Sequence, residues 1–237
     1  MSAITVPSNE RPGFRDATRV LSSVLSPLEK RTLIWLARRM PSRVNSDHLT
    51  TLALVAMLCA GLSYWLSSVT PVGLVLVAFC LAVNWFGDSL DGTLARVRNH
   101  QRPRYGYYVD HVVDAFGALF LFGGLALSGY MHPGIAFGLL VVYLMLMVEI
   151  ALAAHSVGTF RITHFFMGPT ELRIILAIGN LVLIVHPNAT IFGATYRLFD
   201  VGGAIGIAGL VVTLVVSAVR NTRLLYRAEP IPGRASR

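Results

Sequence analysis

Residues 88–114 read DSLDGTLARVRNHQRPRYGYYVDHVVD, and this stretch lies between two long apolar runs. It holds four of the twelve acidic residues of the chain, Asp88, Asp91, Asp110 and Asp114. If both flanking segments are helical, the first two aspartates share one helix face and the last two share another. Because a carboxylate inside a bilayer costs about 2.5–3.5 kcal/mol on insertion scales, four together need compensating positive charge. The spacing therefore predicts a site for hard divalent cations between two helix ends.

The remainder of the chain is too apolar for a soluble protein of 237 residues, with 54% hydrophobic and 14% charged residues and a mean hydropathy of +0.63. Several apolar runs approach or exceed the roughly 20 residues that a helix needs to cross a bilayer. Six spans are predicted, over Leu49–Val69, Val72–Gly92, Tyr107–Met131, Ile135–His155, Thr170–Val185 and Val201–Val219. These runs are far too long for barrel strands, so the expected fold class is an all-α integral membrane protein.

The distribution of Lys and Arg predicts the orientation of these spans. Of the 20 basic residues, 19 fall on one side of the predicted membrane and only Arg197 falls on the other. The positive-inside rule then places both termini and the aspartate cluster on the cytoplasmic side. We expect a multi-pass protein of the cell inner membrane with its active site facing the cytoplasm.

The net charge of +8 is concentrated at these membrane edges, where anionic lipid headgroups attract it. No basic and aromatic recognition module is visible, so nucleic acid is not expected as a partner. Cys59 and Cys80 both lie inside predicted spans and are interpreted as packing residues, neither a disulfide nor a metal site.

Three segments are predicted. Residues 1–44 form an N-terminal cytoplasmic segment, residues 45–226 the six-helix catalytic domain and residues 227–237 a cytoplasmic tail. Within the first, an apolar set at helical spacing lies opposite a basic set and predicts an amphipathic helix on the membrane surface, with a cytosolic packing helix as the alternative. The apolar set is Leu33, Leu36, Ala37 and Met40, and the basic set is Lys30, Arg31 and Arg38.

The composition of the aspartate cluster indicates its chemistry. Carboxylates without accompanying His or Cys ligands favour Mg²⁺ or Mn²⁺, and two such ions form a clamp for displacement at phosphorus. The small residues Gly92 and Ala95 would let a ligand approach the helix closely, Arg96 could contact a phosphate, and Gly106 leaves room one turn before Asp110. The alternative is that the carboxylates serve as a proton relay or ion site in a transporter.

The pattern D-x2-D-G-x2-A-R-x9-G-x3-D-x3-D resembles the signature of the CDP-alcohol phosphotransferase (CDP-alcohol phosphatidyltransferase) family, the integral membrane enzymes of phospholipid synthesis. The six-span layout extends this resemblance over most of the chain. The segment Ser46–Thr50 is also similar to the short polar segment before the family's first span, although a helix N-cap at Ser46 or Asp47 is an adequate alternative.

The resemblance implies a mechanism. The four aspartates would hold two divalent cations, Mg²⁺ or Mn²⁺, that bind the pyrophosphate of a CDP-linked donor. The implied nucleotide site comprises Asp88, Asp91, Gly92, Ala95, Arg96 and Gly106. Asp114 would also act as general base on the acceptor hydroxyl, which attacks the β-phosphorus and expels CMP. A homodimer is implied as well.

The acceptor pocket is expected near the fourth connection, where polar residues gather on the cytoplasmic side. The polar residues there are Glu149, His155, Arg161, His164, Glu171 and Arg173, and the candidate pocket residues are His111, Arg161, Glu171 and Arg173. A structural ion pair of Glu171 with Arg173 or with Arg161 is an equal alternative. Residues 158–161 and 170–173, together with His111 directly after Asp110, resemble the choline/ethanolamine phosphotransferases, which are longer and have more spans.

Two substrate assignments follow. In the preferred one, which the compact six-span size favours, CDP-diacylglycerol donates to a small polar alcohol such as glycerol phosphate, inositol phosphate or serine. In the other, CDP-choline or CDP-ethanolamine donates to a lipid hydroxyl. A phosphorylated acceptor needs several converging basic residues, and Arg161 and Arg173 supply at most two. A cation-coupled transporter should show inverted repeats, which are absent from the sequence, and a membrane scaffold has no need of four carboxylates.

Overall fold

The structure is a computed structural model that describes residues 26–157 and 169–229. Across these residues the chain forms seven α-helices and one antiparallel hairpin. The helices are α1 (Ser26–Arg39), α2 (Ser46–Ser67), α3 (Val72–Val97), α4 (Pro103–Leu127), α5 (Pro133–Val157), α6 (Pro169–Val185) and α7 (Leu198–Ala228), and the strands are β1 (Asn188–Ile191) and β2 (Ala194–Arg197). The prediction of a helical protein with several membrane spans is confirmed.

Five of the described helices, α2, α3, α4, α5 and α7, are long and apolar enough to cross a membrane. The other predicted span corresponds to α6, which has 17 residues and so lies at the lower end of the length that can cross a bilayer. Helix α7 is longer than the predicted span: it has 31 residues and continues to Ala228, past the predicted boundary of the tail at residue 227.

The hairpin between α6 and α7 corrects the purely α-helical expectation. Strand β1 pairs with β2 from Asn188↔Arg197 to Ile191↔Ala194. The two turn residues, Phe192 and Gly193, have φ values of 50° and 81°, as a two-residue type I′ turn requires. Flanking apolar spans hid this short polar segment, because four-residue strands give little periodicity to detect.

Helix α2 begins at a reciprocal cap. The Asn45 side chain accepts a hydrogen bond from the His48 backbone N–H at 3.0 Å, and the Asn45 N–H donates to His48 Nδ1 at 3.4 Å. This capping box satisfies two of the backbone donors that every helix start leaves unpaired. The cap is therefore Asn45, and neither Ser46 nor Asp47, the two residues that the sequence suggested, fills this role.

The centre of the bundle is formed by α2, which packs against both α3 and α4. Its contact with α4 is close: a Cβ at Gly61 would lie 2.2 Å from the Phe120 carbonyl oxygen, and a Cβ at Gly124 would lie 2.1 Å from the Gly61 carbonyl oxygen. The buried core beside this crossing includes Tyr64 and Leu125. Small residues let the two backbones approach and fix the register of α4, which carries two of the aspartates, on α2.

Helix α1 packs on the protein through its apolar side. Leu33 and Ala37 are buried in a cluster with Leu49 of α2 and with Leu90 and Leu94 of α3. The predicted amphipathic helix is therefore present, with the packing contact that was the alternative interpretation. Contact of its outer side with a membrane surface stays a prediction.

Candidate active site

The four aspartates lie on the facing ends of α3 and α4. Asp88 and Asp91 belong to the last turns of α3 and Asp110 and Asp114 to the first turns of α4. Because residues 98–102 alone connect the two helices, both pairs lie at the same end of the bundle. The fold thus brings the two pairs to one end of the bundle, and their convergence on one cation site stays a prediction.

Asp91 is the most buried of the four, with 7% of its surface exposed. Thr50 Oγ1 of α2 donates to Asp91 Oδ2 at 2.5 Å, and the Gly92 N–H donates to Asp91 Oδ1 at 2.5 Å. The hydroxyl of Ser46 donates to the Asp91 backbone carbonyl at 2.9 Å. Hydrogen bonds on both oxygens leave this side chain little rotational freedom, so α2 orients the carboxylate.

Asp88 is paired with a residue of a distant helix. Arg173 Nη2, in the first turns of α6, lies 2.6 Å from Asp88 Oδ2. The side chains of Arg173 and Asp88 are 17% and 32% exposed, respectively. Arg173 therefore offsets part of the negative charge of the aspartates, a role that the sequence pattern assigned to divalent cations and not to this arginine.

The donor chemistry of this site fits a divalent cation. Carboxylate oxygens are hard ligands of the kind that Mg²⁺ and Mn²⁺ prefer. Within residues 26–157 and 169–229, no three ligand-type side chains converge closely enough to define a metal position. Asp88 and Asp91 instead have protein partners, Arg173 and Thr50. The residue types and charges thus fit such an ion, while the coordination geometry is not formed.

A polar cavity of about 470 Å³ lies between the start of α2, the end of α3 and the connection from α3 to α4. Its lining consists of Asn45, Ser46, Asp47, Leu94, Ala95, Arg98, His100, Gln101 and Arg102. Ala95 is one of the predicted nucleotide-site residues, and the Ser46 hydroxyl connects this lining directly to Asp91. The cavity therefore lies at the helix end that the motif marks, and its lining reaches the Asp91 backbone carbonyl through Ser46.

Two arginines shape the rim of this cavity. Arg102 donates to Asp47 at 2.5 and 2.7 Å, and this hydrogen bonding raises the pKa of the exposed guanidinium, which stays cationic. Arg98 donates to the carbonyls of Met40 and Pro41, each at 2.9 Å, and to that of Val44. Residues 98–102 are therefore fastened to the segment between α1 and α2.

Three further motif residues occupy distinct positions. Arg96 is exposed, and its Nη2 donates to Thr93 Oγ1 at 3.1 Å. A Cβ at Gly92 would lie 3.5 Å from Arg96 Nη1, so the guanidinium lies over this glycine. Around Gly106 a Cβ would meet nothing within 4 Å, so the first turns of α4 leave open space there.

The family model for CDP-alcohol phosphatidyltransferases matches residues 44–216, which include α2–α6, the aspartate cluster and most of α7. The chain belongs to the CDP-alcohol phosphatidyltransferase family. It is accordingly a membrane transferase of phospholipid biosynthesis. Members of this family move a phosphatidyl group from a CDP-alcohol to an alcohol and generally depend on divalent cations. A search of curated proteins finds no match. This membership replaces the transporter and scaffold alternatives.

The candidate acceptor residues of the transferase are only partly brought together. Arg173 lies on Asp88, whereas His111 Nδ1 bonds the Tyr107 carbonyl at 2.8 Å, one turn back in its own helix. Glu171 is half-buried in the first turn of α6. Arg161, together with His164, lies outside the described residues. The ion pair that Arg173 forms is thus with Asp88, a partner that the sequence did not suggest.

Glu149, the first of the polar residues near the fourth connection, connects α5 to α7. Its two carboxylate oxygens accept hydrogen bonds from Ser217 Oγ at 2.8 Å and Asn221 Nδ2 at 2.7 Å. Both partners project from α7, a helix that packs on α5. The contacts that the structure gives Glu149 are therefore those of interhelical packing.

The sequence interpretation missed two side chains that shape the transferase site, Thr50 and Glu29. Thr50 ends the polar segment Ser46–Thr50, whose likeness to the family gave a weak signal. Glu29 lies in α1, before the residues that the family model matches, and its partners are 56 or more residues away. Only the packing of α1 and α6 on α3 reveals these contacts.

Proposed function

We propose that the transferase moves a phosphatidyl group from CDP-diacylglycerol to a small polar alcohol and releases CMP. The observation that supports this proposal is the position of two aspartates on α3 and two on α4 at one end of the bundle, the end at which the 470 Å³ cavity lined by Ala95 lies. In the proposal, this cavity holds the cytidine portion of the donor while the pyrophosphate lies at the aspartates.

Asp88, Asp91, Asp110 and Asp114 are the residues that would hold two Mg²⁺ or Mn²⁺ ions. When bound, these ions would supply neutralisation of the phosphate charges. The protein already orients two of the ligands, because Thr50 holds Asp91 and Arg173 holds Asp88. Such outer contacts fix a carboxylate before the ion arrives and so favour binding.

In the proposed reaction, Asp114 takes the proton of the acceptor hydroxyl. The hydroxyl oxygen forms a bond to the β-phosphorus as the bond from that phosphorus to the CMP oxygen breaks, and the electron pair leaves with CMP. Arg96, lying over Gly92, is placed to neutralise a donor phosphate, and the open space around Gly106 gives the nucleotide room.

The proposed topology has six spans with both termini on the cytoplasmic side. In this arrangement α6, although only 17 residues long, spans the bilayer while packed on α3. The aspartates then face the cytoplasm of a cell whose inner membrane holds the protein, where CDP-linked donors are made available. A homodimer is proposed on family resemblance alone.

The test is CMP release by the purified protein with Mg²⁺ or Mn²⁺. One series supplies CDP-diacylglycerol with serine, glycerol phosphate or inositol phosphate, and the other supplies CDP-choline or CDP-ethanolamine with diacylglycerol. Metal-dependent CMP in the first series alone, stimulated by one alcohol, is the expected result. Release only in the second series would replace the proposed donor with a water-soluble CDP-alcohol and a lipid acceptor.

A further inference from the structure

Glu29 of α1 is a hydrogen-bond acceptor shared by three side chains. Its Oε1 accepts from Trp85 Nε1 at 2.8 Å, from Thr170 Oγ1 at 2.8 Å and from Ser89 Oγ at 3.4 Å. The donors belong to two helices, α3 and α6, that are far apart in sequence. One carboxylate thus joins three elements of the fold.

These partners surround the ion pair at the active site. Trp85 and Ser89 flank Asp88 on α3, and Thr170 lies three residues before Arg173 on α6. Helices α3 and α6 are therefore connected twice, directly by Arg173 on Asp88 and indirectly through Glu29. A helix held at one contact can pivot about it, whereas two contacts about one turn apart fix both its position and its rotation.

Helix α1 is itself firmly placed, so it can act as a fixed support. Leu33 and Ala37 are buried against α2 and α3, and Arg98 fastens the Met40 and Pro41 carbonyls after its end. Glu29 thus projects from an anchored helix towards α6, which packs chiefly on α3 among the described elements.

We propose that Glu29 is a positioning residue, which fixes the start of α6 on α3 and thereby holds Arg173 against Asp88. This inference rests on the proposed function in that Asp88 acts there as a cation ligand. Glu29 lies outside residues 44–216 that the family model matches, so the role is a feature of this chain's own N-terminal helix. Without Glu29, the start of α6 can shift on α3, and Arg173 and Asp88 are no longer held in fixed positions. The cation site then loses the geometry that is set before the ion binds.

The experiment compares Glu29→Ala with Glu29→Gln in the full chain. Glutamine keeps a side-chain oxygen that can accept the same hydrogen bonds, and alanine removes it. We expect Glu29→Ala to weaken Mn²⁺ binding, measured by titration calorimetry, about tenfold and Glu29→Gln to stay within about threefold of the native protein. Equal losses in the two variants would overturn the role of Glu29 as an acceptor.

The bridge formed by Glu29 is monitored through the fluorescence of Trp85, one of its hydrogen-bond donors, in a Trp35→Phe/Trp65→Phe background. Glu29→Ala should change the Trp85 emission or the Mn²⁺ affinity, and so should Thr170→Val. The double variant should show little change beyond that of Glu29→Ala, because both substitutions act through the same bridge. Additive effects of the two substitutions on Mn²⁺ affinity would overturn the proposal.

Thr32→Val is the matched control, because Thr32 is an exposed residue of the same helix whose hydroxyl donates to the Leu28 carbonyl at 3.0 Å. It should leave Mn²⁺ affinity and CMP release unchanged. A loss of Mn²⁺ affinity as large as that of Glu29→Ala would mean that any change in α1 has this effect and would overturn the proposal. Failure of the native protein to bind Mn²⁺ would instead reject the proposed function, and the Trp85 emission would still decide whether the bridge exists.

Discussion

Arg173 and Asp88, 85 residues apart in the sequence, form an ion pair of 2.6 Å between α6 and the aspartate-bearing end of α3. The pair brings a basic side chain of α6 into direct contact with one of the four motif aspartates. It offsets charge that would otherwise oppose the assembly of α3 and α4. The site is therefore completed by a helix that lies outside the motif.

Removing this pair should cost stability. Arg173→Gln leaves Asp88 without its cationic partner, and we expect a loss of about 1 kcal/mol in the free energy of unfolding after allowing for partial solvent exposure. The double variant Arg173→Gln/Asp88→Asn should recover part of the loss. Arg102→Gln is the control, because its pair with Asp47 is 54% and 45% exposed and should contribute less. Thermal unfolding in one detergent provides the comparison, and equal losses for both arginines would contradict the expectation.

Asp114→Asn separates the base from the ligand role. If Asp114 accepts the proton of the acceptor hydroxyl, the variant should lose CMP release by at least about a hundredfold while CDP binding largely survives. Asp88→Asn, a ligand without an assigned base role, should weaken CDP binding and release together. A parallel loss of nucleotide binding and activity in Asp114→Asn would leave this residue with ligation alone.

Thr50 should matter through Asp91. Thr50→Val removes the hydroxyl that donates to Asp91 Oδ2, and we expect CMP release to fall about tenfold because the carboxylate loses its fixed orientation. Thr50→Ser keeps the hydroxyl and should restore most of the rate. Thr51→Val is the neighbouring control, since its hydroxyl bonds the Asp47 carbonyl at 2.8 Å. The measurement is the initial rate of CMP release at saturating donor. An unchanged rate in Thr50→Val would show that the Gly92 N–H orients Asp91 sufficiently.

The crossing of α2 and α4 should tolerate no added methyl group. At Gly124 a Cβ would lie 2.1 Å from the Gly61 carbonyl oxygen, whereas at the adjacent Gly123 it would meet nothing within 4 Å. Gly124→Ala should therefore destabilise the protein by about 1–3 kcal/mol. Gly123→Ala should be neutral or slightly stabilising, because alanine favours the helix. Urea unfolding of both variants tests the difference, and equal midpoints would mean that the crossing is looser than described.

The sequence was sufficient to predict the family resemblance, the helical class and the four carboxylates, because each depends on local patterns. Helical periodicity places Asp88 near Asp91 and Asp110 near Asp114, and the short connection brings the two pairs to one end of the bundle. It did not reveal that Arg173 pairs with Asp88, since Glu171 was the acidic partner that the sequence suggested for Arg173. It also missed the hairpin before α7, whose short strands lie between stronger apolar signals.

The sequence by itself thus determined which residues are buried in a membrane, which carboxylates lie together and what chemistry they suit. Those properties follow from hydrophobicity and from spacings of a few residues, and they persist whichever way the helices pack. Only the tertiary structure decided the partners of each carboxylate: Thr50 for Asp91, Arg173 for Asp88, and Glu29 for Trp85 and Thr170, at separations of 41, 85, 56 and 141 residues. Such pairs depend on the register and rotation of neighbouring helices. Helix packing sets these, as in the close backbone approach at Gly61 and Gly124, and no local pattern encodes them.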